Sequence, residues 1–202
     1  TDSVIFITEQ VTGMINKLLL IVDPQIDFIT GVLPVPGAVS SMNSLTGYLR
    51  RNSAQYAGII VTADRHPMRH CSFRTEAGQW PVHCVADSVG AAIWPPLMSA
   101  LIDASDKTVI LHKGENAETE EYSIFKNRDA ADIISHIIKS RNISHIDICG
   151  LAGDVCVAAT IRDLLTLDGN IRLNGLKKFS TSIDGGNTLD SLISKYSLSC
   201  TR

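Results

Sequence analysis

Four short stretches end in side chains that can do chemistry. "LLLIVDPQIDF" carries Asp23, "IIVTADRHP" carries Asp64 and His66, "TVILHKG" carries Lys113, and "ICGLAGDVCV" carries Cys156. Taken alone, each has a plain explanation: a turn before Pro24, a solvated surface lysine, a small cysteine packed in a core. Together, a carboxylate, a lysine and a cysteine supply a nucleophile with a base and a cation, which is what cysteine catalysis needs. A free thiol titrates near roughly 8.5, so little thiolate exists at neutral pH without help. Cys156 follows an apolar run and a glycine-broken turn and opens a helical pattern, so backbone N–H groups and the helix dipole favour an anion there. A neighbouring Lys113 lowers the thiol further. Asp23 within reach takes its proton and passes it to the leaving group. Free N–H groups of the "GLAGDVC" turn suit an oxyanion. Cys71, Cys84, Cys149 and Cys200 match no catalytic spacing and read as packing or incidental thiols.

These residues need a scaffold that brings them together. Short β-rich runs, "LLLIVD" (18–23), "AGIIVTAD" (57–64), "KTVILHK" (107–113), "HIDICG" (145–150) and "NIRLNG" (170–175), alternate with segments of helical spacing. Val39, Met42, Leu45 and Leu49 share one predicted helix face, and Ile133, Ile134, Ile137 and Ile138 another. The pattern after Cys156 runs to a stop at Gly169. Apolar strands alternating with helices predict an α/β fold whose parallel sheet is covered on both faces. Ligands then bind outside the carboxyl ends of the strands, where Asp23, Asp64, Lys113 and Cys156 all arrive. The irregular stretch 66–88 is long for a compact domain and holds Trp80, Pro81, three histidines and two cysteines, which marks it as functional.

Composition narrows the classes. A formal net charge of −3 gives no reason for a nucleic-acid or anionic-membrane partner. The longest apolar runs are far too short to span a bilayer. Residues 1–16 lack the charged start and apolar core of a signal peptide and read as an extension to a single domain over 1–202. Five cysteines with no C-x-x-C and no framework spacing fit free thiols in a reducing, cytoplasmic setting. No glycine-rich nucleotide loop is present.

"IVDPQIDF", "TADRHPMRHCSF", "WPVHCV", "LHKG" followed by "EEYSIF", and "GLAGDVCV" occur in that order, and the chain resembles the nicotinamidases of the isochorismatase-like hydrolase family. The resemblance runs from about Leu18 to near Asn187, beyond which a short helix and strand are expected. It implies a three-layer α-β-α sandwich with a six-stranded, mostly parallel sheet. It also implies a catalytic triad of Asp23, Lys113 and Cys156, with a thioester intermediate. The oxyanion would be held by the backbone of Ala152 and Cys156, with a cis peptide before Ala152. Asp64, His66 and His83 are implied as ligands of one divalent metal ion, and that donor set suits Zn²⁺, Fe²⁺ or Mn²⁺. His70 and Glu76 are further candidates for the metal shell. Phe28, Trp80 and Tyr122 are implied as walls around a planar small-molecule amide, with Phe125 helping Tyr122 to close the pocket. Asp27 reads as a structural hydrogen-bonding group of the first loop.

The stretch "ADSVGA" after "WPVHCV" departs from the glycine-containing turn of many nicotinamidases, which leaves the preferred amide open. The acidic run 115–121 has no account from sequence. A related cysteine hydrolase acting on another small amide or on a ureido or carbamoyl compound is an alternative; such relatives usually lack the D-x-H pair. A non-catalytic binding protein of the same fold is another, although it has no use for the triad. A homo-oligomer is compatible with the sequence.

Overall fold

The computed structural model describes residues 16–167 and 171–201. Residues 1–15 of the expected extension, the helix stop expected at Gly169, and Asn170 lie outside them. The strands are β1 (Lys17–Val22), β2 (Tyr56–Asp64), β3 (Thr108–Lys113), β4 (His145–Gly150), β5 (Arg172–Leu176) and β6 (Ser199–Thr201). Their spatial order is β3-β2-β1-β4-β5-β6. Every neighbouring pair is parallel, so the sheet is wholly rather than mostly parallel.

Helices α1 (Ile26–Ile29), α2 (Ala38–Asn52) and α3 (Pro95–Ile102) pack on one face of the sheet, and α4 (Arg128–Ser140), α5 (Ala158–Leu164) and α6 (Asn187–Lys195) on the other. Two apolar clusters result, one on each face. β1 supplies both, because Leu19 and Ile21 point one way and Leu18, Leu20 and Val22 the other. This double burial is why the central strand reads as an unbroken apolar run. The helix faces differ in detail from the sequence pattern. Val39 is exposed and Ala38 is buried in its place; Ile133 is exposed while Ile134 and Ile137 are buried. Each apolar stripe is narrower than spacing alone suggests, since a helix on a sheet buries only the side chains aimed straight at it.

Strand register positions the chemistry. The strand order runs one way from β1 and the other way from β4, so a crevice opens between their carboxyl ends. Asp23 follows β1 there, and the "GLAGDVC" turn follows β4. Val22 pairs with Gly150 across this gap. Gly150 has φ +124, and a Cβ would collide with the Val22 backbone; only glycine permits that approach. On the far side of β1, Asp64 is the register partner of Lys113. Ile60 and Leu111 belong to the cluster under α4 and α5. Thr62, Asp64 and Lys113 share their parity and turn to the same face.

Candidate active site

Lys113 is the centre of the cluster. Its Nζ lies 2.9 Å from Asp23 Oδ2, donates to Asp64 Oδ1, and stands 3.7 Å from Cys156 Sγ. All four side chains are buried. Asp23 takes a left-handed φ of 45 just after β1. Thr62 holds it there: the Thr62 hydroxyl donates to Asp23 Oδ1 at 2.6 Å, and the Asp23 N–H donates to the Thr62 carbonyl at 3.1 Å. Gln25 fixes Asp64 in the same way. Its side-chain amide donates to the Asp64 carbonyl at 2.7 Å and accepts from the Asp64 N–H at 2.8 Å.

Two carboxylates share one buried lysine. Burial lowers the affinity of Lys113 for its proton, but Asp23 and Asp64 outweigh it and hold the ammonium well above the ordinary lysine range. Burial likewise raises Asp64, yet Lys113 and His66 beside it leave it below the usual carboxylate range. Asp23 is raised, because burial exceeds the pull of Lys113 and the Asp64 charge adds to it. Cys156 is also raised: burial dominates, Lys113 opposes it, and both carboxylates reinforce it. Burial thus opposes the ease of ionisation expected from the helix start and Lys113. A Cys156 thiol would have to give up its proton before its sulfur could attack.

Cys156 sits not in the first turn of a regular α-helix but in a wider π-type turn, Gly153–Val157, that leads into α5. The Leu151–Ala152 peptide is cis. Among the described residues no acceptor takes the Ala152 N–H.

Asp64, His66 and His83 bring one ligand atom each to within 4.8 Å of one another, all three side chains being buried. His66 Nδ1 donates to the Gly114 carbonyl at 2.9 Å and His83 Nδ1 to the Pro81 carbonyl at 2.8 Å. A carbonyl can only accept, so Nδ1 carries a proton in both rings, and each neutral ring presents its lone pair at Nε2, the arrangement that metal-binding histidines require. Burial lowers His83 and keeps it neutral, while burial of His66 is outweighed by Asp64, which raises it. One carboxylate and two imidazoles fit a divalent ion. His70 stands outside the group. Its ring nitrogens face Ser72 Oγ at 2.7 Å and the Thr119 carbonyl at 3.2 Å, and it stacks on His66 with centroids 4.1 Å apart. Glu76 pairs with Arg69 at 2.9 Å.

Residues 17–174 match the family model described as Isochorismatase domain. The chain belongs to the isochorismatase family. It is 31% identical to a nicotinamidase of Escherichia coli over 169 residues, covering 75% of this chain and 77% of that protein. It is 32% identical over 152 residues to a nicotinamidase/pyrazinamidase of Mycobacterium tuberculosis, covering 73% and 77%. A pyrazinamidase of Pyrococcus horikoshii solved in complex with zinc superposes with a TM-score of 0.79 at 28% identity, over 93% of this chain and 99% of that one.

In this isochorismatase-family chain, a pocket opens above Cys156. Phe28, Trp80 and Tyr122 line it, with Leu33, Val35, Val155 and Ile183 completing its apolar walls and Asp64, His83 and Ala152 on the polar side. Trp80 Nε1 donates to the Tyr122 hydroxyl at 3.1 Å, tying the 66–88 stretch to the loop after Lys113. Phe125 does not line the pocket; it packs against the core under α4 and α5. Asp27 is structural, accepting the Cys84 N–H at 2.7 Å. The acidic run now has two roles. Glu121 accepts the Gly114 N–H at 2.7 Å and closes the loop that follows Lys113, while Glu120 lines the pocket. Thr62, Gln25 and Glu120 are the contributors that sequence reasoning missed. Thr62 has a sequence signal in its parity with Asp64, and Gln25 in its place two residues after Asp23.

Proposed function

We propose that this protein is an amidohydrolase that converts nicotinamide to nicotinate and ammonia through a cysteine thioester, serving the salvage of NAD. The carrying observation is Lys113 within 2.9 Å of Asp23 and 3.7 Å of Cys156 beneath an aromatic-walled pocket. Nicotinamidase relatives at about 30% identity support the same reading. Asp23 is the base that removes the Cys156 proton. Sulfur attacks the carboxamide carbon, and the carbonyl oxygen becomes an oxyanion facing the Ala152 and Cys156 N–H groups. Asp23 returns its proton to the nitrogen, ammonia leaves, and a thioester remains. Asp23 then takes a proton from a water whose oxygen attacks the thioester; the C–S bond breaks, Asp23 hands that proton to the departing sulfur, and the acid leaves as nicotinate with its own proton passing to solvent. Lys113 opposes the burial that favours protonated Asp23 and steadies the developing thiolate.

Phe28, Trp80 and Tyr122 hold the ring between apolar faces. Asp64, His66 and His83 would hold a divalent ion, which would supply a fixed positive charge beside the ring. Ammonia release from nicotinamide by metal-loaded protein tests the reading, with pyrazinamide and a ureido compound run alongside. Turnover of the two aryl amides and not of the ureido compound is expected; indifference to all three returns the chain to the binding-protein reading.

A further inference from the structure

One carboxylate next to the nucleophile is untouched by the chemistry above. Asp154 lies two residues before Cys156 in the π-type turn but does not line the pocket. Its two oxygens accept two consecutive backbone N–H groups from another part of the chain: Ile183 to Oδ1 at 3.0 Å and Asp184 to Oδ2 at 2.9 Å. The adjacent Gly153 N–H donates to the Thr181 carbonyl at 2.8 Å. A Cβ on Gly153 would collide with Ser182 Oγ, so turn and loop are in direct contact. On its other side the loop is tied to the start of α6, where Asp184 accepts the Gly186 and Thr188 N–H groups at 2.8 Å each. The side chain thus held in place is Ile183. It lines the pocket mouth yet is 46% exposed, so packing alone does not fix it.

We propose that Asp154 is a positioning residue: through the Ile183 and Asp184 N–H groups it sets Ile183 as an apolar wall against the ring of an aryl carboxamide. The inference rests on the reading of the pocket as an aryl-amide site and assigns that site's specificity to a loop outside the triad. An Asp154→Ala change frees both N–H groups, the wall drifts toward solvent, and ring affinity falls. The chemistry at sulfur stays, because Asp23, Lys113 and Thr62 are untouched.

The test compares Asp154→Ala, Asp154→Asn, Ile183→Ala and the Asp154→Ala/Ile183→Ala double variant. A hydrophobic wall in a specificity pocket is worth about tenfold. KM for nicotinamide should therefore rise about tenfold in Asp154→Ala and in Ile183→Ala, with kcat nearly constant. The double variant should be no worse than either single one, as expected for two residues acting through one contact. A second readout needs no turnover: alkylation of Cys156, followed by mass spectrometry, with iodoacetamide and with N-phenyl iodoacetamide. The aryl reagent's advantage should shrink in all the Ala variants while the iodoacetamide rate holds. Equal slowing of both reagents, a fall in kcat at constant KM, or additive losses would mean that Asp154 only stabilises the turn, and overturns the proposal. If Asp154→Ala does not fold, Ile183→Ala and the partly conserving Asp154→Asn carry the test, and an unchanged reagent ratio in both overturns it. Absence of nicotinamide turnover in the unmodified protein sinks the functional reading alone, since the reagent ratio still reads the wall.

Discussion

The buried site holds two carboxylates against one ammonium, and that imbalance sets the behaviour of each residue. Burial favours protonation of both Asp23 and Cys156, so ionising them costs free energy. Asp23 has a folded-state pKa above its unfolded one, so its neutral form adds stability at low pH, and that stability is lost as pH rises through the folded value. Asp23→Asn should accordingly raise the melting temperature at neutral pH, and the gain should vanish below the ordinary carboxylate range near roughly 3.9. The same change should abolish hydrolysis, a separation of stability from activity common at active sites. Cys156→Ala should leave fold and ligand binding intact and remove all turnover. Asp23→Asn and Lys113→Ala should each lose nearly the whole rate, and the double variant little more, because groups acting as one unit fail at the first deletion; steady-state kinetics of the three proteins checks this. The residue types were legible from sequence: Asp23, Asp64, Lys113 and Cys156 meet as expected. The burial that opposes thiol ionisation was not, because burial is a property of the assembled core and leaves no mark on a four-residue motif.

Elements place these groups through register more than through loops. Asp64 and Lys113 are neighbours because β2 and β3 pair in register at those positions. The turn bearing Cys156 approaches Asp23 because β1 and β4 close onto Gly150. Gly150→Ala should therefore destabilise the fold by several kcal/mol, the scale of strain at a compact positive-φ site, and denaturant unfolding would measure it. Gly185 also has positive φ but open space around it, so Gly185→Ala should cost much less. The alternation of strands and helices was readable, because strands buried on both faces cannot avoid being apolar throughout. The roles of Phe125, His70 and Val39 were not. Spacing gives a side chain's angular position on its own element, whereas contact depends on where the opposing element lies.

The whole molecule brings Cys156, at one edge of the crevice, together with histidines carried by the 66–88 stretch. No helix among the described residues is long and apolar enough to cross a membrane. Chelation should reduce nicotinamide hydrolysis, and added Zn²⁺, Fe²⁺ or Mn²⁺ should restore it. His83→Ala should lower the metal content found by elemental analysis of protein purified without chelators. His70→Ala, altering a ring that stacks on His66 and faces Ser72 and Thr119 rather than joining the cluster, should lower it less.

Asp64 belongs to both halves at once, with Oδ1 on Lys113 and Oδ2 facing His66. Two binding events that share a group obey reciprocity: whatever one does to the affinity of the other is returned in equal measure. A cation drawing on Asp64 would weaken its hold on Lys113 and leave more of the ammonium's field for sulfur. Cys156 should then lose its proton at lower pH in the metal-loaded protein than in the stripped one, visible as a displaced pH profile of alkylation. By the same cycle the protein should hold its metal more tightly once the sulfur has ionised. Asp64 would then act as a thermodynamic clutch between the thiol and a bound cation.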